Sequence, residues 1–199
     1  MHRTAIRHLS TADPTLASII TRVGACRFEP RTDGTHFEAL LRSIIYQQLS
    51  GRAAATIHGR FVALYPRRSA TAARVLSTTD DTLRSVGLSR QKIGYMRDLA
   101  ARVEARELPV RTLHHLPDDE LIEALVRVKG IGRWTAHMFL MFRLGRPDVL
   151  PELDLGIQKA IQIAWRRRKL PKPADVTRIG ARWAPYRTVA SWYLWRSLE

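Results

Sequence analysis

Cysteine is almost missing from this chain, with Cys26 the only one. No intrachain disulfide can form, and a zinc or iron–sulfur site built from several cysteines of one chain is excluded. A lone thiol suits a reducing compartment, so a cytoplasmic, nucleoid-associated location is expected. Long hydrophobic runs are missing too. The densest apolar stretch, residues 138–142, is far shorter than the ~20 residues of a membrane helix. The first 14 residues carry His2, Arg3, Arg7 and His8 and no apolar core of a signal peptide. No membrane association is expected. No stretch alternates apolar and polar residues for long enough to make a strand. The seven histidines include the adjacent His114 and His115 and the isolated His137. None stands at metal-ligand spacing with a carboxylate, and surface or core roles are expected. Acidic side chains are scarce, 18 against 33 Lys+Arg, for a net charge of +15. Such an excess draws polyanions, and DNA, RNA or an anionic membrane would each qualify.

Helical periodicity is what the chain has in quantity. Its 199 residues suffice for one large helical domain or two small ones. Phe37, Leu40, Leu41, Ile44 and Ile45 mark one face of a helix, with Gly51 read as its stop. Further helices are expected at 52–64, up to Val86 behind the cap region Thr78-Thr79-Asp80-Asp81, and at 91–106. Pro117-Asp118-Asp119-Glu120 opens the next, its acidic residues matching the positive end of the dipole. More helices follow at 133–143, 155–166, 174–183 and 187–198. The run Arg166-Arg167-Arg168-Lys169 is read as a solvated helix end. The fold class is all-α.

One turn stands out. Leu125-Val126-Arg127-Val128-Lys129-Gly130-Ile131-Gly132-Arg133-Trp134 joins two amphipathic helices through a pair of glycines. Glycine permits positive φ and close backbone approach, and the second helix would aim its free N–H groups outward, a ready anion site. A DNA phosphate fits there. An ordinary helical hairpin fits these glycines equally well.

The residues that follow carry a resemblance. Gly130-Ile131-Gly132-Arg133-Trp134-Thr135-Ala136, an apolar helix, and then Asp148-Val149-Leu150-Pro151-Glu152-Leu153-Asp154-Leu155-Gly156-Ile157 together resemble the helix-hairpin-helix DNA glycosylases. Within them the chain is similar to the 3-methyladenine DNA glycosylase II branch. Residues 37–50 and 86–92 are similar to other parts of that branch, and the likeness covers about residues 37–195. It implies a two-subdomain helical fold with a cleft between the subdomains. One would span 37–144 and end in the hairpin at about 118–143. The other would combine 1–36 with 145–199 and carry the catalytic aspartate at the cleft mouth. The extra N-terminal β-rich domain of some relatives is expected to be absent.

The resemblance also implies roles. Asp154 matches the catalytic carboxylate better than Glu152 does. Read from the residues alone, Asp154 is equally a helix N-cap. Breaking an N-glycosidic bond leaves positive charge on the sugar, which a buried carboxylate stabilises while it orients or deprotonates water. A base alkylated at N3 or N7 is already cationic and departs neutral, so no strong general acid is needed. Bifunctional relatives carry an attacking lysine where this chain has Trp134. Tryptophan cannot do amine chemistry, so no lyase activity is expected. Trp134, Tyr46, Gln47 and Trp183 are implied as the pocket for a flipped base, while Trp192 and Trp195 are read as core. Lys129, Gly130, Ile131, Gly132, Arg133 and Thr135 are implied to hold DNA. So are Leu88, Ser89, Arg90 and Lys92, with Leu88 or Arg90 as the wedge filling the gap and Lys92 and Arg97 near phosphates. Similar hairpins bind Na+ or K+ through main-chain carbonyls, here those of Val126, Val128 and Gly130. No cofactor is otherwise expected. The implied partner is double-stranded DNA containing alkylated bases such as 3-methyladenine or 7-methylguanine, bound by a monomer. Two alternatives stay open. One is a glycosylase for hypoxanthine, etheno-adenine, uracil or an adenine mispair. The other is a non-catalytic DNA-binding module.

Overall fold

The computed structural model describes residues 2–199. The regular elements of the described residues are all helices, with no strand. The α-helices are α1 (His2–Ala12), α2 (Pro14–Val23), α3 (His36–Tyr46), α4 (Gly51–Ala63), α5 (Ala72–Ser77), α6 (Asp80–Ser85), α7 (Arg90–Glu104), α8 (Asp118–Val126), α9 (Arg133–Phe142), α10 (Leu155–Ala164), α11 (Pro173–Gly180) and α12 (Arg187–Arg196). Single 3-10 turns lie at Pro66–Arg68, Leu113–His115 and Ala181–Trp183. No described helix is long and apolar enough to cross a membrane. The chain divides into two compact units, Met1–Arg31 with Leu140–Glu199, and Thr32–Phe139.

Local chemistry sets most helix starts. Thr35 accepts the Glu38 N–H while Glu38 accepts that of Thr35, a closed capping box opening α3 that is worth about 1 kcal/mol. Ser50, Thr71, Thr79 and Ser89 cap α4, α5, α6 and α7 by accepting one N–H each, without the reciprocal bond. Gly51 is therefore not the stop of α3. It is the first residue of α4, and α3 ends at Tyr46 because Gln47 leaves the helical region and Gln48 turns to φ +56°. Sequence periodicity missed α1, α2 and α5.

In the unit Thr32–Phe139, α7 is the central helix, packed by α3, α5 and α6. Ile93, Met96, Leu99 and Ala100 form its buried stripe. In the other unit, α12 packs on α1, α2 and α10. Leu9, Leu16, Ile157, Ile161, Trp183 and Tyr193 are among its core residues. Asp13 ties that core together although it is 1% exposed. Its Oδ1 accepts the N–H groups of Thr15 and Leu16 to cap α2, and its Oδ2 accepts the Trp183 indole N–H at 3.0 Å. A buried carboxylate is tolerable only when so fully bonded.

Candidate functional site

The hairpin belongs to the unit Thr32–Phe139. α8 ends at Val126, the chain turns through residues 127–132, and α9 begins at Arg133. Gly130 sits at φ +81°, and a Cβ there would overlap the Tyr95 ring, so only glycine fits. Gly132 differs. Its φ is not positive and a Cβ would meet nothing within 4 Å, so nothing within the chain requires glycine there. Ile131 is buried beneath the turn, Thr135 is buried in α9, and Lys129, Gly132, Arg133 and Trp134 are exposed. The two residues opening α9, where helix N–H groups lack intrahelical partners, are thus at the surface.

Other elements brace the turn. Gln47 Nε2 donates to Gly130 O at 2.8 Å, and the Lys129 N–H donates to Asp98 Oδ2 at 2.9 Å. Burial alone would raise the Asp98 carboxyl, but the Lys129 N–H and the Arg102 guanidinium outweigh it and hold it below the usual range. Gln47 is therefore a strut for the hairpin. Lys92 also has a structural job. Its Nζ donates to the carbonyls of Ile45 and Gln47 at 2.7 and 2.8 Å, closing the end of α3, and burial lowers its pKa. Lys92 is bonded inward, not presented to a phosphate. Among the described residues no cluster of side chains could hold a metal. The carbonyls of Val128 and Gly130 accept the Ile131 N–H and Gln47 Nε2.

Burial removes one of the two expected wedges, Leu88, and leaves Arg90. Leu88 is 4% exposed and is packed into the unit, because Gly87 at φ +100° turns it inward. Ser89 caps α7 and Arg90 is exposed. The apolar side chain that does stand out is Leu49, 38% exposed in the turn between α3 and α4. Sequence reading passes over it, although a leucine between Gln48 and Ser50 in a turn has no core to enter. Tyr46 is half-buried, with the Arg42 guanidinium 3.9 Å above its ring and His58 at its edge. Trp134 is 41% exposed.

The carboxylate lies in the other unit. Asp154 caps α10, and its Oδ1 accepts the Ile157 N–H at 2.8 Å and the Trp195 indole N–H at 2.9 Å. Two donors on one oxygen fix the rotamer. Gly156 makes this possible, since a Cβ there would crowd both Asp154 Oδ1 and the Trp195 ring. Phe142 stacks on Trp195 with ring centroids 5.8 Å apart. Trp195 is thus no simple core residue. Trp183, by contrast, has no exposed surface and donates its N–H to Asp13, so it has no ring face for a base. Trp183 is therefore a core residue, and Trp195 holds the Asp154 carboxylate. The stretch of chain entering Asp154 is anchored as well. Arg187 grips Asp148 through Nε to Oδ1 at 2.7 Å and Nη2 to Oδ2 at 2.8 Å. Burial would raise the Asp148 carboxyl, but the Arg187 donors hold it below the usual range. Thr188 takes the Val149 N–H and donates to Arg146 O. Leu153 and Leu155 flank the carboxylate, and both are exposed.

Known proteins share this sequence pattern and fold. The family model for the HhH-GPD superfamily of base excision DNA repair proteins matches residues 41–185. The chain belongs to the HhH-GPD superfamily. Within that superfamily it groups with the 3-methyladenine DNA glycosylase II branch. It is similar to DNA-3-methyladenine glycosylase 1 of Schizosaccharomyces pombe, 33% identical over 96% of this chain and 85% of that one. The structure of a 3-methyladenine DNA glycosylase of the same yeast, in complex with abasic DNA, superposes with a TM-score of 0.85. It is 32% identical, over 96% of this chain and 95% of that one. A DNA-3-methyladenine glycosidase from Bacillus halodurans gives 0.84 at 34% identity, over 96% and 87%. The HhH-GPD match spans the hairpin glycines, Asp154 and Trp183 and stops at residue 185, short of Trp195.

Proposed function

We propose that this HhH-GPD protein is a monofunctional DNA glycosylase that hydrolyses the N-glycosidic bond of alkylated purines flipped out of duplex DNA. Bases of the 3-methyladenine and 7-methylguanine type are its substrates. The observation that carries the reading is the Asp154 carboxylate, held in one rotamer by the Ile157 N–H and the Trp195 indole N–H. A carboxylate so oriented beside C1′ stabilises the positive charge that develops on the sugar, without reorganising during the reaction. The exposed leucines on either side, Leu153 and Leu155, would exclude water from the sugar and strengthen that field. A cationic alkylated base leaves as a neutral molecule, so one carboxylate suffices. Water is the nucleophile, because the residue after Gly130-Ile131-Gly132-Arg133 is Trp134 and has no amine.

The remaining parts serve presentation of the base. The hairpin turn binds a backbone phosphate through the N–H groups opening α9. Leu49, not Leu88, enters the gap left by the everted nucleotide. The similarity to relatives named for 3-methyladenine supports the lesion class. The test is release of free 3-methyladenine and 7-methylguanine from methylated duplex DNA, beside oligonucleotides carrying hypoxanthine, etheno-adenine or uracil. Release from the methylated DNA with intact abasic strands is expected. Release only from a neutral-base substrate would overturn the lesion class, and release from none would leave only a DNA-binding module. Strand cleavage trapped by borohydride would overturn the monofunctional assignment.

A further inference from the structure

The cations that follow α10 exceed anything the hairpin or the carboxylate uses. Between residues 166 and 182 stand Arg166, Arg167, Arg168, Lys169, Lys172, Arg178 and Arg182, seven cations against the single carboxylate of Asp175. That carboxylate is already engaged. Its Oδ1 pairs with Arg167 at 3.6 Å and Arg178 at 3.1 Å, and its Oδ2 accepts the Lys172 N–H. Arg166, Arg168, Lys169 and Lys172 are exposed, and with Arg182 they make no ion pair among the described residues.

A solvated helix end accounts for one or two such charges, set against the negative pole of α10. It does not account for Arg166, Arg168, Lys169 and Lys172, unpaired cations in one short loop whose mutual repulsion opposes the fold. Nor are they on a loose tether. Arg166 leaves the helix at φ +49°, and the Arg167 N–H returns to Gln162 O at 2.9 Å. Pro171 is buried, and Pro173 opens α11. The loop folds into a concavity of about 530 Å³ lined by Arg167, Arg168, Lys169, Leu170, Lys172 and Asp175. Cations held in place lose less freedom on binding than cations on a flexible tail.

We propose that the loop from Arg166 to Lys172 is a second contact for the phosphate backbone of duplex DNA, separate from the hairpin. The choice of duplex DNA as the polyanion rests on the glycosylase reading. Position supports it. α10 begins at Leu155, directly after Asp154, and has ten residues, so the loop stands roughly 15 Å from the carboxylate along the same rigid helix. At 3.4 Å of duplex axis per phosphate on a strand, that is at most about four nucleotides from a sugar docked at Asp154. The loop would grip flanking DNA while α10 keeps its distance from the reacting sugar fixed.

The test uses the full chain with Arg166→Gln, Arg168→Gln, Lys169→Gln and Lys172→Gln combined, all at exposed positions without ion pairs. Binding to an undamaged duplex of about 30 base pairs is followed by fluorescence anisotropy from ~50 to ~200 mM salt. Each lost phosphate contact lowers the slope of log K against log salt by about 0.9. The quadruple variant is expected to lower it by roughly 2 to 4 and to weaken binding at least about tenfold at ~0.1 M salt. Its single-turnover base release at saturating enzyme should match the parent's. Asp175→Asn, which releases Arg167 and Arg178, should shift the slope the opposite way. A slope unchanged in both variants overturns the proposal. So does loss of binding to phosphatidylserine vesicles with the DNA slope intact, which would assign the loop to a membrane. Because the duplex carries no lesion, failure here is distinct from failure of the glycosylase reading, which base release alone decides.

Discussion

Replacing Trp195 with phenylalanine isolates one hydrogen bond at the proposed reaction centre. Phenylalanine keeps an aromatic ring for Phe142 to stack on and does not crowd Gly156. What disappears is the indole N–H, which donates to Asp154 Oδ1 at 2.9 Å. The Ile157 N–H remains on that oxygen at 2.8 Å, so the carboxylate is loosened and not released. A hydrogen bond to a charged group contributes about 1.5–3 kcal/mol, and 1.36 kcal/mol is a factor of ten in rate. If the bond is felt fully in the transition state, base release should slow by about 10- to 150-fold. The assay is single-turnover release of 7-methylguanine from methylated duplex, with enzyme in excess. Affinity for undamaged duplex is measured beside it and should be unchanged, since Trp195 is assigned no phosphate. A Trp195→Phe enzyme with the parent's rate would refute the argument that this N–H places the carboxylate. Equal losses in rate and in DNA affinity would refute it as well.

Other perturbations separate the parts. Gly130→Ala should destabilise the protein by more than about 1 kcal/mol, because φ is positive and the Tyr95 ring occupies the space of a Cβ; urea unfolding reads it. Gly132→Ala should leave stability within about 0.5 kcal/mol of the parent, since nothing lies near its Cβ, yet weaken duplex binding in anisotropy by crowding the phosphate. Asp148→Asn should cost about 1–3 kcal/mol at neutral pH and slow base release by freeing the chain that leads into Asp154. The folded carboxyl of Asp148 titrates below its usual 3.8. Its pair with Arg187 therefore stabilises fully above about pH 4 and is lost as pH falls through the lowered value. Parent and variant melting curves should converge there. Leu49→Ala should reduce base release from a paired lesion more than from a mismatched one, because a loosely stacked base needs less help in leaving the duplex.

How far the sequence could lead is clear from individual residues. The helices α3, α6, α7 and α8 declare themselves through local signals, such as Thr35 with Glu38 and the acidic opening of α8. Asp154 is legible because its cap and its segment are contiguous. The α2 start carries an equally readable signal of another kind. Asp13-Pro14 is an N-cap with proline at N1, followed by Leu16, Ile19, Ile20 and Val23 at helical spacing. What local pattern could not give is partnership across the chain. Trp183 and Trp195 are alike in the sequence, and their roles follow from residues 170 and 41 positions away, Asp13 and Asp154. Lys92 reads as a surface cation until the carbonyls of Ile45 and Gln47 claim it. Leu88 and Leu49 are both leucines in turns, and only packing separates the buried one from the exposed one.

The substitution Asp154→Asn bears most directly on the whole account. Asparagine caps a helix about as well as aspartate, so α10, the melting temperature and the affinity for duplex DNA should survive. Base release from methylated DNA should fall by at least about 10²–10³-fold, the scale of losing one preorganised electrostatic group. A well-folded Asp154→Asn enzyme that still frees 7-methylguanine at the parent's rate would contradict the account, because the carboxylate would then be only a helix cap.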